Sequence, residues 1–309
     1  MTLTDYVNTF GRYAYRRFGA RVHKIALDAG FTCPNRDGSK GIGGCTFCNN
    51  ASFSPNARNA VPLAQQLENG RQALAKPRRN ALLIAYFQAY TNTYGGVDAL
   101  AARYDEALNV PGVVGLSVGT RPDCISGEVL ALLASYRARG LEVWLELGLQ
   151  SAFDDTLTRV NRGHSFDDYR QAIAAAHAYG IPVCTHLILG LPGEALAQWR
   201  QSLQAVIALG VQGLKLHALH VVKGTQLANQ WRRGEYQPLG MEEYAHGVAD
   251  LVAATPGHVV FHRLTGTAPP RLLLDPAWCA DRWPVLNAIE AQLRQRGLRQ
   301  GESVMETCA

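Results

Sequence analysis

The sequence has no apolar run that approaches the length of a membrane-spanning helix, which excludes an integral helical membrane protein. Its first ten residues carry Asp5 and polar side chains and no apolar signal core. The expectation is therefore a cytoplasmic protein with no membrane association. No short repeat and no low-complexity tract is present, so solenoids are set aside. Charge is scarce, with 18% charged residues against 47% apolar ones, and such a chain of 309 residues can bury a sizeable core. Nor does one sign of charge dominate. The net charge of +5 permits contact with a nucleic acid or another anion without requiring it. Cysteine is sparse and odd in number, seven in all. In a reducing compartment a cysteine cluster binds metal or does chemistry more often than it forms disulfides.

What is present is an alternation of short apolar runs and helix-like stretches. Strands are expected at 23–27, 81–87, 113–118, 142–147, 183–189 and 213–217. Helices rich in Ala, Leu, Gln and Arg are expected at 62–75, 97–108, 127–139, 166–178 and 194–208. A strand–helix–strand rhythm needs a parallel sheet, because each crossover brings the chain back to the same end. Near-continuous apolar strands suit a sheet buried on both faces. Six units are too few for a closed eight-stranded barrel. The expected fold is α/β, an open partial (β/α)6 barrel, with a doubly wound sheet as the alternative. After residue 220 the rhythm changes to a helix at 241–254, a short strand at 259–261 and a last helix near 285–296, and residues 301–309 are expected to be mobile. The chain thus divides into an arm (1–20), the partial barrel (21–220) and a C-terminal extension packed on it (221–309).

Eleven residues separate Cys33 from Cys45, and two separate Cys45 from Cys48. Four of the eleven are glycine, so the segment is a loop, and it follows the first expected strand. A parallel fold then puts the three thiols at the carboxyl ends of the strands, where such folds bind ligands. Thiolates are soft ligands that select iron–sulfur clusters, zinc or copper(I). A structural zinc site takes four ligands, and His23 is the nearest candidate for a fourth. Three ligands with an open position favour an iron–sulfur cluster over zinc. Cys124, Cys184, Cys279 and Cys308 show no paired spacing and read as small buried apolar groups.

With Cys45-Thr46-Phe47-Cys48 the sequence reaches a recognisable pattern. The segment resembles the cluster-binding loop of radical S-adenosylmethionine (SAM) enzymes, and residues 22–49 resemble the YhcC family, which is related to the catalytic subunit of Elongator. The resemblance extends through Ala85-Tyr86-Phe87-Gln88-Ala89-Tyr90, Gly119-Thr120-Arg121-Pro122-Asp123-Cys124, the strand from Val143 to Gln150, Asn161-Arg162-Gly163-His164 and His217-Ala218-Leu219-His220. Most of the superfamily has three residues between its first two cysteines, whereas eleven is usual in the resembled group. The resemblance implies that Cys33, Cys45 and Cys48 bind three irons of a [4Fe-4S] cluster. The fourth iron would chelate SAM, and one electron would cleave SAM to a 5′-deoxyadenosyl radical that abstracts hydrogen from substrate. It also implies an electron donor such as flavodoxin or ferredoxin.

SAM needs partners of definite types. Phe47 offers a flat apolar face for adenine. Gln88 stands where related enzymes place an acid for the ammonium group, and an amide oxygen can accept there. Ser117, Glu146 and Gln150 fall where the superfamily keeps polar residues for ribose and methionyl groups. A lone acid amid the apolar neighbours of Glu146 would be costly without a role. Arg162 is a candidate carboxylate clamp. Gly190 and Glu194 resemble the adenine-contact turn. His186, Lys215, His217 and His220 are candidates for substrate contact or proton handling.

The substrate is less legible. The arm interleaves cations with aromatics from Arg12 to Arg21, a pattern that can hold phosphate and stack on bases, or equally a helix with snorkelling arginines. Kinship with Elongator points to tRNA, by analogy alone. A small-metabolite substrate and a non-catalytic iron–sulfur or zinc module are the alternatives.

Overall fold

Seven strands run parallel and side by side in the computed structural model, which describes residues 2–52, 61–78 and 80–303. The six expected strands are β1 (Val22–Leu27), β2 (Leu82–Phe87), β3 (Val113–Thr120), β4 (Glu142–Gln150), β5 (Val183–Leu189) and β6 (Gly213–Ala218). A seventh is added from the C-terminal stretch. After the two-residue β7 (Val221–Val222), β8 (Val260–Arg263) pairs in parallel with β6. The order β1-β2-β3-β4-β5-β6-β8 leaves both edges unjoined, and the sheet curls into a half-barrel. β9 (Leu273–Asp275) pairs with β7 in a separate two-stranded sheet.

Two short helices, α1 (Leu3–Tyr6) and α2 (Phe10–Phe18), precede the sheet. The crossovers contain α3 (Leu63–Ala73), α4 (Val97–Leu108), α5 (Gly127–Ala138), α6 (Asp154–Arg159), α7 (Phe166–Ala178) and α8 (Leu196–Ala208). α9 (Gln226–Arg232), α10 (Met241–Ala253) and α11 (Arg282–Gln295) complete the chain. Helix starts follow ordinary capping chemistry. Ser126 caps α5 through Val129 N–H, and Ser165 caps α7 in a reciprocal box with Asp168. Residues 301–303 are tied down, with Ser303 N–H donating to the Ala253 carbonyl at 3.0 Å. The rest of the segment expected to be mobile, and Cys308 with it, lies outside the described residues.

Strand alternation sorts side chains into two sets. Outward residues such as Leu83, Phe87, Leu116, Leu145, Leu147 and Leu214 form the main apolar core beneath the helices. Inward residues form layers. At the amino-terminal end Val22, Ile84, Trp144, Cys184 and Val260 make an apolar floor, closed by Phe10 and Ala14 of α2. The Phe10 ring lies 4.7 Å from that of His262 and 6.5 Å from Trp144. Tyr13 donates to Glu142 at 2.7 Å. The arm is therefore a plug for the barrel floor, at the end opposite the cysteines. Of its aromatics only Tyr15 is largely exposed, so base stacking by the arm is not supported.

The next layer is polar, and every strand contributes one side chain: Lys24, Tyr86, Ser117, Glu146, His186, Lys215 and His262. Glu146 is fully buried at its centre. Lys24 Nζ donates to Oε1 at 2.6 Å, Lys215 Nζ to Oε2, Ser117 Oγ to Oε1 and His186 Nε2 to Oε2 at 2.8 Å. Lys215 also lies over the Tyr86 ring at 4.0 Å, a cation–π contact. Burial alone would raise the Glu146 carboxyl, but the two ammonium groups hold it well below its ordinary value of 4.5. Burial lowers Lys215 to about 8.

Removing the carboxylate leaves two buried ammonium groups facing one another. Glu146→Gln is expected to cost about 3–5 kcal/mol, read as the shift in urea midpoint. The stability that Glu146 contributes is fully present above pH 4.5 and is lost as pH falls through its depressed folded value. The acid limb of the stability curve should therefore flatten in Glu146→Gln; an unchanged limb and midpoint would contradict this role.

Candidate active site

Above the polar layer the carboxyl ends of the strands open into a cavity of about 220 Å³. Its wall on the β1 side is the loop after that strand, which brings in Cys33, Cys45 and Cys48 together with Phe47. The loop folds so for local reasons. The Asn35 side chain, buried, donates to the Asn161 carbonyl at 2.6 Å, and Asn161 donates back to the Gly44 carbonyl at 2.8 Å. Thr46 N–H donates to the Val160 carbonyl at 3.0 Å, and its carbonyl accepts from Leu227 N–H at 2.9 Å. Gly44 has φ +81°, and a Cβ there would stand 2.6 Å from Arg36 Nε, so glycine alone fits.

Two arginines serve the thiols. Arg162 NH1 lies 3.4 Å from Cys45 Sγ and NH2 donates to the Gly148 carbonyl at 2.5 Å. A Cβ at Gly148 would meet that NH2 at 2.8 Å. Arg36 NH2 donates to the Cys48 carbonyl at 2.8 Å. Arg162 is itself positioned by Arg121, which donates to the carbonyls of Arg162 at 2.7 Å and Gly163 at 3.0 Å. Arg121 is pinned by a two-point pair with Asp123, whose carboxyl is lowered to about 2; burial opposes that shift, and Arg121 and Lys40 overcome it. Burial, and then the neighbouring Cys45, push the Cys48 thiol up to about 12, so metal binding there must displace a proton.

Among the described residues no three His, Cys, Asp or Glu side chains come close enough to share one metal ion. A cluster gives each thiolate its own iron and does not need the sulfurs to converge on a point. Among the described residues, the cavity also holds polar atoms without partners. Asn50 is 3% exposed with both amide atoms unpaired, and Thr91 is 1% exposed with its hydroxyl unpaired. The Nε atoms of Arg36 and Arg162 are likewise buried and unpaired. Native proteins rarely leave such groups unmatched, so the cavity fits a polar, anion-bearing ligand beside the thiols. Strain gathers here too. Tyr90 (φ 62°), Gln150 (φ 83°) and Asn161 (φ 51°) have left-handed backbones. The first two line the cavity, and the third ties down its loop.

Of the other residues read from the sequence, Gln88, Gln150, His186, His217 and His220 line the cavity, and Glu146 forms part of its base. Four do not line it. Ser117 is turned to Glu146 and Lys24, and Lys215 is buried against Glu146. Gly190 is engaged through its carbonyl by Tyr236 OH at 2.9 Å. Glu194 accepts from Ser151 at the foot of α8, and burial raises its carboxyl. The ribose role for Glu146 needs correction as well, since both its oxygens are taken by the lysines, Ser117 and His186. His186 is lowered to about 4 by burial and by Lys215. It bonds Glu146 through Nε2, and its ring forms part of the cavity wall. His217, 5.7 Å from it between ring centres, is also held neutral by burial.

Sequence reasoning missed Asn35, Asn50, Thr91 and Arg36 as site residues, and missed Arg263 and Thr267, which reach the cavity from the C-terminal stretch. Asn50, two residues past Cys48, carried the one available signal. The rest depend on which strand ends meet.

Comparison with known proteins agrees with this geometry. The Radical SAM superfamily matches residues 33–206 and the Radical SAM C-terminal domain matches residues 211–295. Protein YhcC of Escherichia coli is 44% identical over 299 residues, covering 97% of this chain and 96% of that protein. The tRNA uridine(34) acetyltransferase of Methanocaldococcus infernus is 28% identical over 166 residues, 52% of this chain and 30% of that protein. Among solved structures, the archaeal Elp3 of the same organism, lacking residues 1–46, superposes with a TM-score of 0.68 at 19% identity, covering 90% of this chain and 64% of that one, which is a likeness of fold. By these matches the chain belongs to the radical SAM superfamily, enzymes whose cofactors are a [4Fe-4S] cluster and S-adenosylmethionine.

Proposed function

We propose that Cys33, Cys45 and Cys48 ligate the [4Fe-4S] cluster, that the cavity beside them receives SAM, and that the substrate is a modified uridine of tRNA. When bound, the two cofactors together supply a 5′-deoxyadenosyl radical that takes a hydrogen atom from substrate. The observation that carries this reading is the meeting of three thiols and several unpaired buried donors in one cavity at the strand ends.

The chain's own residues then have separable tasks. Arg162 stabilises a thiolate at Cys45 by a charge-assisted hydrogen bond. The free faces of Arg36 and Arg162, with Asn50, Thr91, Gln88 and Gln150, hold the polar groups of SAM, and Phe47 covers its adenine. Neutral His186 offers an unprotonated ring nitrogen, so it accepts a hydrogen bond from substrate, with Glu146 fixing its tautomer. His217 and His220 line the same wall. The lysine–glutamate layer below closes the cavity from the floor and excludes water from that side. The tRNA assignment is supported by the likeness of half the chain to tRNA uridine(34) acetyltransferases.

Anaerobically reconstituted protein is expected to bind about four irons per chain and to form 5′-deoxyadenosine from SAM with reductant. Cys45→Ala should lose both. A colourless protein with one zinc and no iron would overturn the cluster assignment. Bulk tRNA from a strain lacking the gene should raise turnover, and the nucleoside profile of that strain should differ from wild type; an unchanged profile, with tRNA inert in the assay, would favour a small metabolite instead. Arg162→Gln should lower cluster retention or turnover by about 10–100-fold, read as iron content and visible absorbance alongside activity.

A further inference from the structure

We infer that a cavity at the floor of the half-barrel, at the end opposite the thiols, is a second binding site, and that its ligand is the sugar–phosphate backbone of RNA. The choice of RNA rests on the proposed tRNA substrate; the site itself rests on residues that do not line the catalytic cavity.

α2 closes the floor with Phe10 and Ala14, and that packing uses its apolar side. Its arginines are left in solvent, where a cavity of about 630 Å³ opens below the sheet. Arg12 and Arg16 of α2 line it together with Arg137 from the end of α5 and Arg299 from the C-terminal stretch. All four are exposed, and none forms an ion pair among the described residues. Neutral oxygens hold three of them. Arg12 NH1 donates to the Thr4 carbonyl at 2.9 Å, Arg16 NH2 to Asn8 Oδ1 at 2.8 Å and Arg299 NH1 to the Asp5 carbonyl at 3.1 Å. The Arg137 guanidinium makes no hydrogen bond among the described residues. One carboxylate, Asp5, lines the cavity, and its Oδ2 accepts from Thr2 N–H at 2.7 Å. Glu142, the acid behind the floor, is taken by Tyr13, Arg17 and Trp144. Elsewhere the chain balances clustered arginines, as where Arg200 and Arg296 share Asp250. Here three separate segments bring four cations to one cavity without a counter-charge. They repel one another, and a bound polyanion removes that repulsion.

The arrangement also selects the anion. A guanidinium fork suits phosphate. Arg12 and Arg16 are four apart on α2, so their side chains leave the helix about 5–6 Å from each other. That is close to the step between successive phosphates of one nucleic-acid strand. The phosphates of a nucleoside triphosphate share bridging oxygens and stand closer together. The rings of Tyr13 and Trp144 line the cavity but are not free to stack on a base. They meet edge to face at 5.7 Å, and both donate to Glu142. Such a site holds phosphates without reading sequence, a contact that positions an RNA. The two cavities are joined by β8, an edge of the sheet. Val260 at its start lines the floor cavity, and Arg263 at its end lines the catalytic one. At about 3.3 Å per residue these positions are about 10 Å apart. An RNA held at the floor therefore needs only a short path along that edge to reach the mouth.

The test uses the full-length, cluster-loaded protein and bulk tRNA, with affinity measured by filter binding from low to high salt. The pair Arg12→Gln and Arg16→Gln should weaken binding roughly tenfold and lower the slope of log affinity against log salt by about 1.5. Arg137→Gln, which gives up no contact within the chain, should lower that slope by about 0.8. Arg170→Gln, on α7 and lining neither cavity, should leave both quantities unchanged. Wild-type affinity and slope in the first two variants would overturn the inference. So would an equal loss in Arg170→Gln, because tRNA would then be sensing total charge alone. Adenosine triphosphate is the second probe. If it binds the wild type, fails to bind the Arg12/Arg16 variant and is not displaced by tRNA, the ligand is a small polyphosphate and the RNA assignment falls. Failure here is distinct from failure of the substrate reading. tRNA that binds at the floor but is never turned over refutes the substrate and leaves the site standing. tRNA that is turned over, and bound equally well by the arginine variants, refutes the site alone.

Discussion

A buried carboxylate between two ammonium groups sits at the middle of this fold. Glu146 on β4 faces Lys24 from β1 and Lys215 from β6, strands that stand apart in the sheet. A half-barrel has no closing hydrogen bonds to fix its curvature, so contacts across its concave face must do so. Desolvating three charges is expensive, and their mutual attraction repays it only at close range. That requirement ties the two sides of the sheet to one separation. The same layer sets the depth of the cavity above it and the tautomer of His186 within it.

The residues proposed for the chemistry lie in that layer or on one side of it. Parallel strands deliver all their carboxyl ends to the same rim, so loops far apart in sequence share a wall. Cys33, Arg162 and His217 come from three such ends. The opposite end is closed by α2, whose Phe10 and Tyr13 complete an apolar floor. The division explains why an arm rich in arginine and aromatics is structural here. Its aromatics other than Tyr15 are at least partly buried, and its arginines lie along the outside.

The strands were legible because apolar runs and helical stretches alternate cleanly, and β5, α4 and α7 have the expected limits. The seventh strand was not assigned to the sheet. Residues 260–263 are short, and only their parallel pairing with β6 distinguishes them from any other apolar turn. Alternation in β4 was readable too, since Trp144, Glu146, Gly148 and Gln150 interleave with Val143, Leu145, Leu147 and Leu149. Which of those residues would meet a cofactor was not. Glu146 looked available because its neighbours in sequence are apolar, yet its partners come from strands about 120 and 70 residues away.

The sequence by itself determined the chemistry on offer: three thiols at metal-binding spacing on a glycine-rich loop after the first strand of a parallel α/β fold. Ligand type and loop position are local properties, set by residue identity and by the rule that parallel strands end together. Tertiary structure alone decided which polar groups remain free to act. Ser117, Lys215 and Glu146 satisfy one another across the barrel, whereas the side chains of Asn50 and Thr91 are buried without partners among the described residues. Whether a polar atom is spent or available depends on what lies opposite it, and opposition across a curved sheet is a property of the closed fold.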